Sequence, residues 1–354
     1  MSPTTRILWI DYVKAIAIAI VVLLHLGIPY PYRTVVRSFV IPLFFVLSGI
    51  FSRPEKYPTW EIFLRHKTLR LLIPYVIFNA INYLQWLLIG RHMGADASEF
   101  IPWWKPIVGA MFGLEHWMEH CKPLWFLPCL MVAEVIFYAS FRLTHNKSVW
   151  LSVLIIILFA CGLNLSWLQL PPLPYAIGSV LSMSIFYYIG YLFDLHTNRL
   201  QSLRNIVAGN TLYWIVGCII AFSGCVWMSL QTSETRVFQN LYGNMLYAFP
   251  AACMGCVGVT ALCIILVKLF PQITILSYIG THTLPILAFH LMIASIVKGI
   301  TYFLFQLPLS IYEKGWIKLI LAVAILLLSI PLCYCYDWIQ TKWKQFLVTK
   351  KLYS

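Results

Sequence analysis

Charge is what this sequence has least of. Only 10% of its 354 residues are Asp, Glu, Lys or Arg, only 12 are acidic, and the 46 residues from Ser148 to Phe193 carry none of the four. Soluble domains carry roughly a quarter charged residues. With 61% hydrophobic residues and a mean hydropathy of +0.81, the chain is excluded from that class and belongs in a bilayer. The alternating apolar segments of a membrane β-barrel are also missing, which leaves an all-α polytopic protein. Low-complexity tracts, internal repeats and linkers are lacking too, so residues 1–354 read as one transmembrane domain. The ten cysteines are scattered through apolar runs, where a thiol behaves as a small hydrophobe rather than as part of a disulfide framework. Cys253 and Cys256 form a C-x-x-C pair with no His or acid nearby, so no metal site is expected.

What is present is a series of apolar stretches near the ~20 residues a helix needs to cross a membrane. Cutting at charges, prolines and turn clusters predicts about ten transmembrane helices: Trp9–Leu26, Val35–Phe51, Leu71–Ile89, Pro123–Phe141, Val149–Leu168, Leu173–Leu195, Thr211–Leu230, Asn244–Val267, Thr283–Phe305 and Trp316–Trp338. Ala15 to Leu26 has the length of a signal-peptide core. Asp11 and Lys14 lie inside the segment, however, and no small-x-small site follows, so it reads as a retained first span.

The net charge of +13 would suggest nucleic acid in a soluble chain. Here the basic residues sit in short loops and report topology instead. With an inside N-terminus, 15 Lys and Arg fall on the inner side, among them Arg6, Arg53, Arg65, Lys67, Arg70, Arg142, Arg199, Arg204 and Lys342, against seven outside. Both termini are therefore expected to be cytoplasmic. The longest outer connection, Gly90 to Lys122, carries Trp103, Trp104 and Trp117 beside Glu115, His116, Glu119 and His120, and reads as a partly buried or interfacial segment.

An ionisable residue within a membrane helix is costly unless it is paired or faces a polar cavity. The first span has three, Asp11, Lys14 and His25, and at 100° per residue they fall on one stripe. The rise from Lys14 to His25 is about 16 Å, so one helix face links the two sides of the membrane. An interfacial Asp11–Lys14 pair with a snorkelling histidine fits the spacing as well. The run Phe63–Tyr75 packs Arg65, His66, Lys67 and Arg70 into an inner loop just before a span. It satisfies the positive-inside rule, and Lys67 and Arg70, three apart, also suit a polyphosphate. Ser48 and Gly49 interrupt a bulky helix and suggest close packing. Trp125, in Pro123-Leu-Trp-Phe-Leu-Pro128, fits an aromatic belt or a cavity wall, and His290 fits a buried structural histidine or a catalytic partner.

Taken together, Trp9-Ile-Asp-Tyr-Val-Lys14 with His25, Pro42-Leu-Phe-Phe…Ser48-Gly49, Lys67-x-x-Arg70-Leu-Leu-Ile-Pro74-Tyr75, Leu124-Trp-Phe-Leu-Pro128, Phe186-Tyr-Tyr-Ile-Gly190-Tyr and Ile279-Gly-Thr-His…His290 resemble the integral-membrane acyltransferase-3 family. The resemblance covers nearly the whole chain and is nearest to the fucose-4-O-acetyltransferase-like branch of polysaccharide O-acetyltransferases. It implies about ten helices in a cell (inner) membrane, cytoplasmic acetyl-CoA or another acyl-CoA as co-substrate, no permanently bound cofactor, and a carbohydrate acceptor, polysaccharide or lipid-linked. By position it implies His25 as the essential histidine, with Asp11 and His290 in support. Lys14, Arg65, Lys67 and Arg70 would meet acyl-CoA, and Ser48, Tyr75 and Trp125 would line the pocket.

The physical reading of these residues agrees with the resemblance. A sugar hydroxyl ionises far above pH 7, so its attack on a thioester needs a positioned base, and a neutral histidine supplies one. An acyl-histidine intermediate is the other chemistry open to it. Asp11 lies too far along the helix to orient His25 and is assigned to the inner end, holding Lys14. Membrane lipid is the expected surrounding and nucleic acid is not an expected partner; oligomeric state is not readable from sequence. The chain departs from the branch at Val40-Ile41-Pro42 and Pro123-Leu124, where histidine or glutamine is common, so its acceptor need not be fucose. A transporter or flippase of a lipid-linked glycan is the rival reading. Its mark would be paired broken helices in corresponding halves, which the sequence does not show.

Overall fold

The computed structural model describes residues 7–92, 100–196, 206–233, 235–271 and 273–352. Among them there is no strand beyond one isolated bridge between Arg236 and Leu241, and ten helices are long and apolar enough to cross a membrane. They are Leu8–His25, Tyr32–Ile50, Trp60–Gly90, Lys122–Leu143, Ser148–Trp167, Pro174–Phe193, Thr211–Leu230, Met245–Leu269, Thr283–Phe305 and Gly315–Lys342. Each expected span is present. Arg6, Arg199 and Arg204, counted in the charge asymmetry, lie outside the described residues.

Two boundaries differ from expectation. The third span begins at Trp60 rather than Leu71, so Arg65, Lys67 and Arg70 ride on a membrane helix and not in a loop. Thr59 caps that helix by accepting from the Ile62 N–H, and Phe63 and Lys67, one turn apart, are buried together while Arg65 and His66 stay exposed. Helix formation needs no apolar run as long as one face packs, and Phe63 stacks on Tyr138 of the fourth span at 4.1 Å. The last span likewise runs on past Trp338, in a helix that reaches Leu352.

The spans form an inner and an outer group. In their most apolar windows the first, second, fourth, sixth and eighth are 56–67% buried, whereas the other five are 11–39% buried and face lipid. Lipid tails are as apolar as leucine, so helices associate in a bilayer through close packing of small residues and through hydrogen bonds. Both devices appear here. A side chain on Gly49 would collide with the Tyr187 carbonyl, and one on Gly190 with the Val46 carbonyl, so the second and sixth spans meet backbone to backbone. Gly280, in the short helix Thr274–Thr281, packs in the same way on the Asp11 carbonyl of the first span. The Tyr12 hydroxyl donates to the Phe270 carbonyl at 2.9 Å and accepts from the Ile273 N–H at 2.9 Å, which ties that helix to the first span.

The long connection from Gly90 to Lys122 is folded in its described part; residues 93–99 lie outside the description. A helix over Trp104–Phe112 leads into a short turn over Glu115–Trp117, and Met118, His120 and Cys121 are buried. The Tyr75 hydroxyl donates to the Ala110 carbonyl at 2.5 Å and so anchors this segment to the third span.

Candidate active site

One cavity of about 520 Å³ lies between the first four spans and the last two. Lys14, His25, Ser48, Arg70 and Trp125 all line it, so five residues singled out in the sequence meet around one space. The stripe on the first span explains part of this. Lys14, Ile18, Val21 and His25 repeat at four, three and four residues and present a single face over about 16 Å. Ser48 joins them from the second span: its neighbour Gly49 packs on the sixth span, and Ser48, about 100° round the helix, lines the cavity.

His25 sits at the last turn of the first span, exposed to the cavity. Its Nδ1 lies 2.8 Å from the Val21 carbonyl oxygen, an acceptor only, so Nδ1 carries the proton and Nε2 holds the lone pair. The His290 ring stands edge-on to it with centroids 5.0 Å apart. His290 is 1% exposed, its Nδ1–H is shared between the Ile286 and Leu287 carbonyls, and its Nε2 has no hydrogen-bond partner among the described residues. Two histidines distant in sequence are thus neighbours, with only His25 lining the cavity. Trp125 covers the same region, its ring 5.2 Å from Phe238 and nearly perpendicular to Phe126.

A second, charged part of the cavity wall holds Lys14 and Arg70. The Lys14 ammonium lies 4.4 Å above the Phe51 ring. Arg70 is carried on a π-turn, Thr68–Leu72, and is exposed to the cavity; among the described residues its guanidinium makes no hydrogen bond or ion pair. Two acids share this wall, and each is already paired. Glu134 Oε2 lies 2.9 Å from Lys67 Nζ, and Asp337 Oδ2 accepts from His282 Nε2 at 2.8 Å.

The other expected site residues sit elsewhere. Lys67 is 6% exposed and does not line the cavity, its ammonium held by Glu134 and near the Tyr57 and Phe63 rings. Burial first, then the Glu134 carboxylate, push the neighbouring Tyr57 hydroxyl above its ordinary value. Arg65 is exposed on the opposite face of that helix, and Tyr75 lies outside the cavity, engaged with Ala110. Asp11 is buried behind the stripe and does not line the cavity.

Glu134, His282 and Asp337 belong to this wall although the sequence reading passes over them. Glu134 had a visible signal, since a carboxylate in the middle of a span needs a partner. His282 and Asp337, 55 residues apart at the edges of their spans, look like boundary residues until the fold joins them.

The model of a family described as an acyltransferase domain, acyltransferase-3, matches residues 7–338. No curated protein and no solved structure matches the chain.

Proposed function

The chain belongs to the acyltransferase-3 family, and from that premise we propose that it moves an acyl group, in the first instance acetyl, from cytoplasmic acyl-CoA to a carbohydrate hydroxyl. The acceptor is a polysaccharide or lipid-linked glycan at the cell surface, as in the fucose-4-O-acetyltransferase-like branch, and the protein sits in the cell membrane with both termini inside. The observation that carries this reading is one cavity joining Arg70, whose guanidinium has no hydrogen bond or ion pair among the described residues, to His25, a histidine with an available lone pair.

Arg70, with Lys14 beside it, meets the phosphates of the donor from the inner side, and a planar guanidinium suits bidentate phosphate contacts. The thioester reaches His25 along the first-span stripe. There Nε2 takes the proton of the acceptor hydroxyl as its oxygen attacks the thioester carbon. The carbon–sulfur bond breaks, and the leaving sulfur takes the proton from His25 as the free thiol. His290 acts as a positioning residue that limits rotation of the His25 ring. The wall formed by Trp125 and Phe126 keeps the reacting end poor in water.

The test is thiol release from acetyl-CoA by the protein in lipid nanodiscs supplied with a glycan extract. Release should depend on glycan, fall about 10²-fold or more in His25→Ala, and show a donor KM raised at least about tenfold in Arg70→Ala. Absence of release with any acyl-CoA would overturn the reading.

A further inference from the structure

Lys67 and Arg70 stand three residues apart but face different surroundings. Lys67 is buried, its ammonium 2.9 Å from Glu134 Oε2, and both side chains are 7% exposed. Arg70 is exposed to the cavity and makes no hydrogen bond or ion pair among the described residues. The π-turn over Thr68–Leu72 begins directly after Lys67 and widens the helix by one residue per turn, which separates two side chains that a regular helix would keep on one face.

Glu134 is the group that makes this arrangement consequential. Glu134 lines the same cavity as Arg70, and the π-turn that carries Arg70 packs against the helix that carries Glu134. A buried carboxylate deprived of its cation is strongly disfavoured and takes the nearest replacement. Arg70, lining the same cavity from the turn packed on that helix, is the replacement the structure offers.

We infer that Lys67 and Glu134 form a positioning pair: Lys67 holds the Glu134 carboxylate and so leaves the Arg70 guanidinium available to an anionic ligand in the cavity. Lys67 touches no ligand in this arrangement. It cancels one of the two acids on the cavity wall; the other, Asp337, is engaged by His282. The identity of the anion as acyl-CoA rests on the function proposed above, but the pair's action on Arg70 does not.

The experiment compares wild type with Lys67→Met, Glu134→Gln, the double variant and Arg70→Ala in nanodiscs. Two readouts are taken, KM for acetyl-CoA and the rise in thermal midpoint on adding inorganic pyrophosphate. Lys67→Met should resemble Arg70→Ala, with a KM raised about tenfold and a reduced pyrophosphate shift. The double variant should return to within about threefold of wild type, because removing the carboxylate removes the competitor. A double variant as impaired as Lys67→Met would mean that Lys67 meets the anion itself, and Lys67→Met indistinguishable from wild type would equally overturn the inference. Should Lys67→Met fail to fold, Glu134→Gln decides: donor KM unchanged or lowered supports the pair, and a tenfold rise sinks it. A pyrophosphate shift that follows the cycle without any thiol release would keep this inference and discard acyl-CoA as the donor. Neither shift nor release in wild type would end both.

Discussion

At the scale of single residues, the two histidines illustrate how one side-chain type is given different work by its surroundings. His25 lines a cavity, whereas His290 is enclosed and does not line it, its Nε2 without a hydrogen-bond partner among the described residues. Replacing His290 by Phe keeps an aromatic edge against His25 and removes only polar atoms. The expected result is a kcat for thiol release lowered by no more than about tenfold with donor KM unchanged, against about 10²-fold or more for His25→Ala. A loss in His290→Phe equal to that in His25→Ala would move the base to His290.

His120 supplies a residue-scale prediction outside the membrane spans. Its Nε2–H donates to Asn79 Oδ1 at 2.8 Å, its Nδ1 has no hydrogen-bond partner among the described residues, and burial pushes its pKa down to about 4. In the unfolded chain the value is about 6.5, so between these limits the unfolded state binds the extra proton and the folded state does not. The site's contribution to stability is complete above about pH 6.5 and is lost as pH falls towards about 4, at about 1.4 kcal/mol per pH unit. Thermal midpoints measured across that window should fall more steeply in wild type than in His120→Gln. Parallel curves would show that His120 is protonated in the fold without penalty.

At the scale of elements, the contact between the second and sixth spans is set by two glycines. A methyl at Gly190 meets the Val46 carbonyl and one at Gly49 meets that of Tyr187, so either Gly→Ala change must push the helices apart. Overpacking of this kind costs about 1–3 kcal/mol. Gly190→Ala should lower the thermal midpoint and also weaken thiol release, since Ser48 enters the cavity from the helix that moves. An unchanged midpoint would mean that the pair is looser than it is drawn.

The element scale also explains what was legible in the sequence. Ten spans were legible because the bilayer imposes a length of about 20 apolar residues that composition cannot hide. The first turns of the third span were not, because Arg65, His66, Lys67 and Arg70 break the apolar run while Phe63 and Lys67 still pack one face. Lys14 and His25 could be placed on one face since 100° per residue is a local rule. The parting of Lys67 from Arg70 was hidden because it depends on a π-turn and on Glu134 from another helix, and the pairing of His282 with Asp337 depends wholly on tertiary contact.

At the scale of the whole molecule, the first four spans and the last two line one path, and donor chemistry requires that path to be continuous. Ser48 is a half-buried small residue on its wall, contributed by the second span opposite the first-span stripe. Ser48→Trp adds an indole to a cavity of about 520 Å³. If the donor is held by phosphate contacts at Arg70 and its thioester must extend to His25, the indole separates binding from chemistry. Thiol release should then fall about 10²-fold or more, because misplacing a reacting group by a few ångströms removes most of the benefit of orientation. The thermal shift on adding pyrophosphate should persist, as Arg70 is untouched. Ser48→Ala controls for loss of the hydroxyl and should release thiol within about threefold of wild type. Release that survives in Ser48→Trp would mean that donor and histidine meet by a route that avoids this wall, and the single-cavity account of the reaction would have to be abandoned.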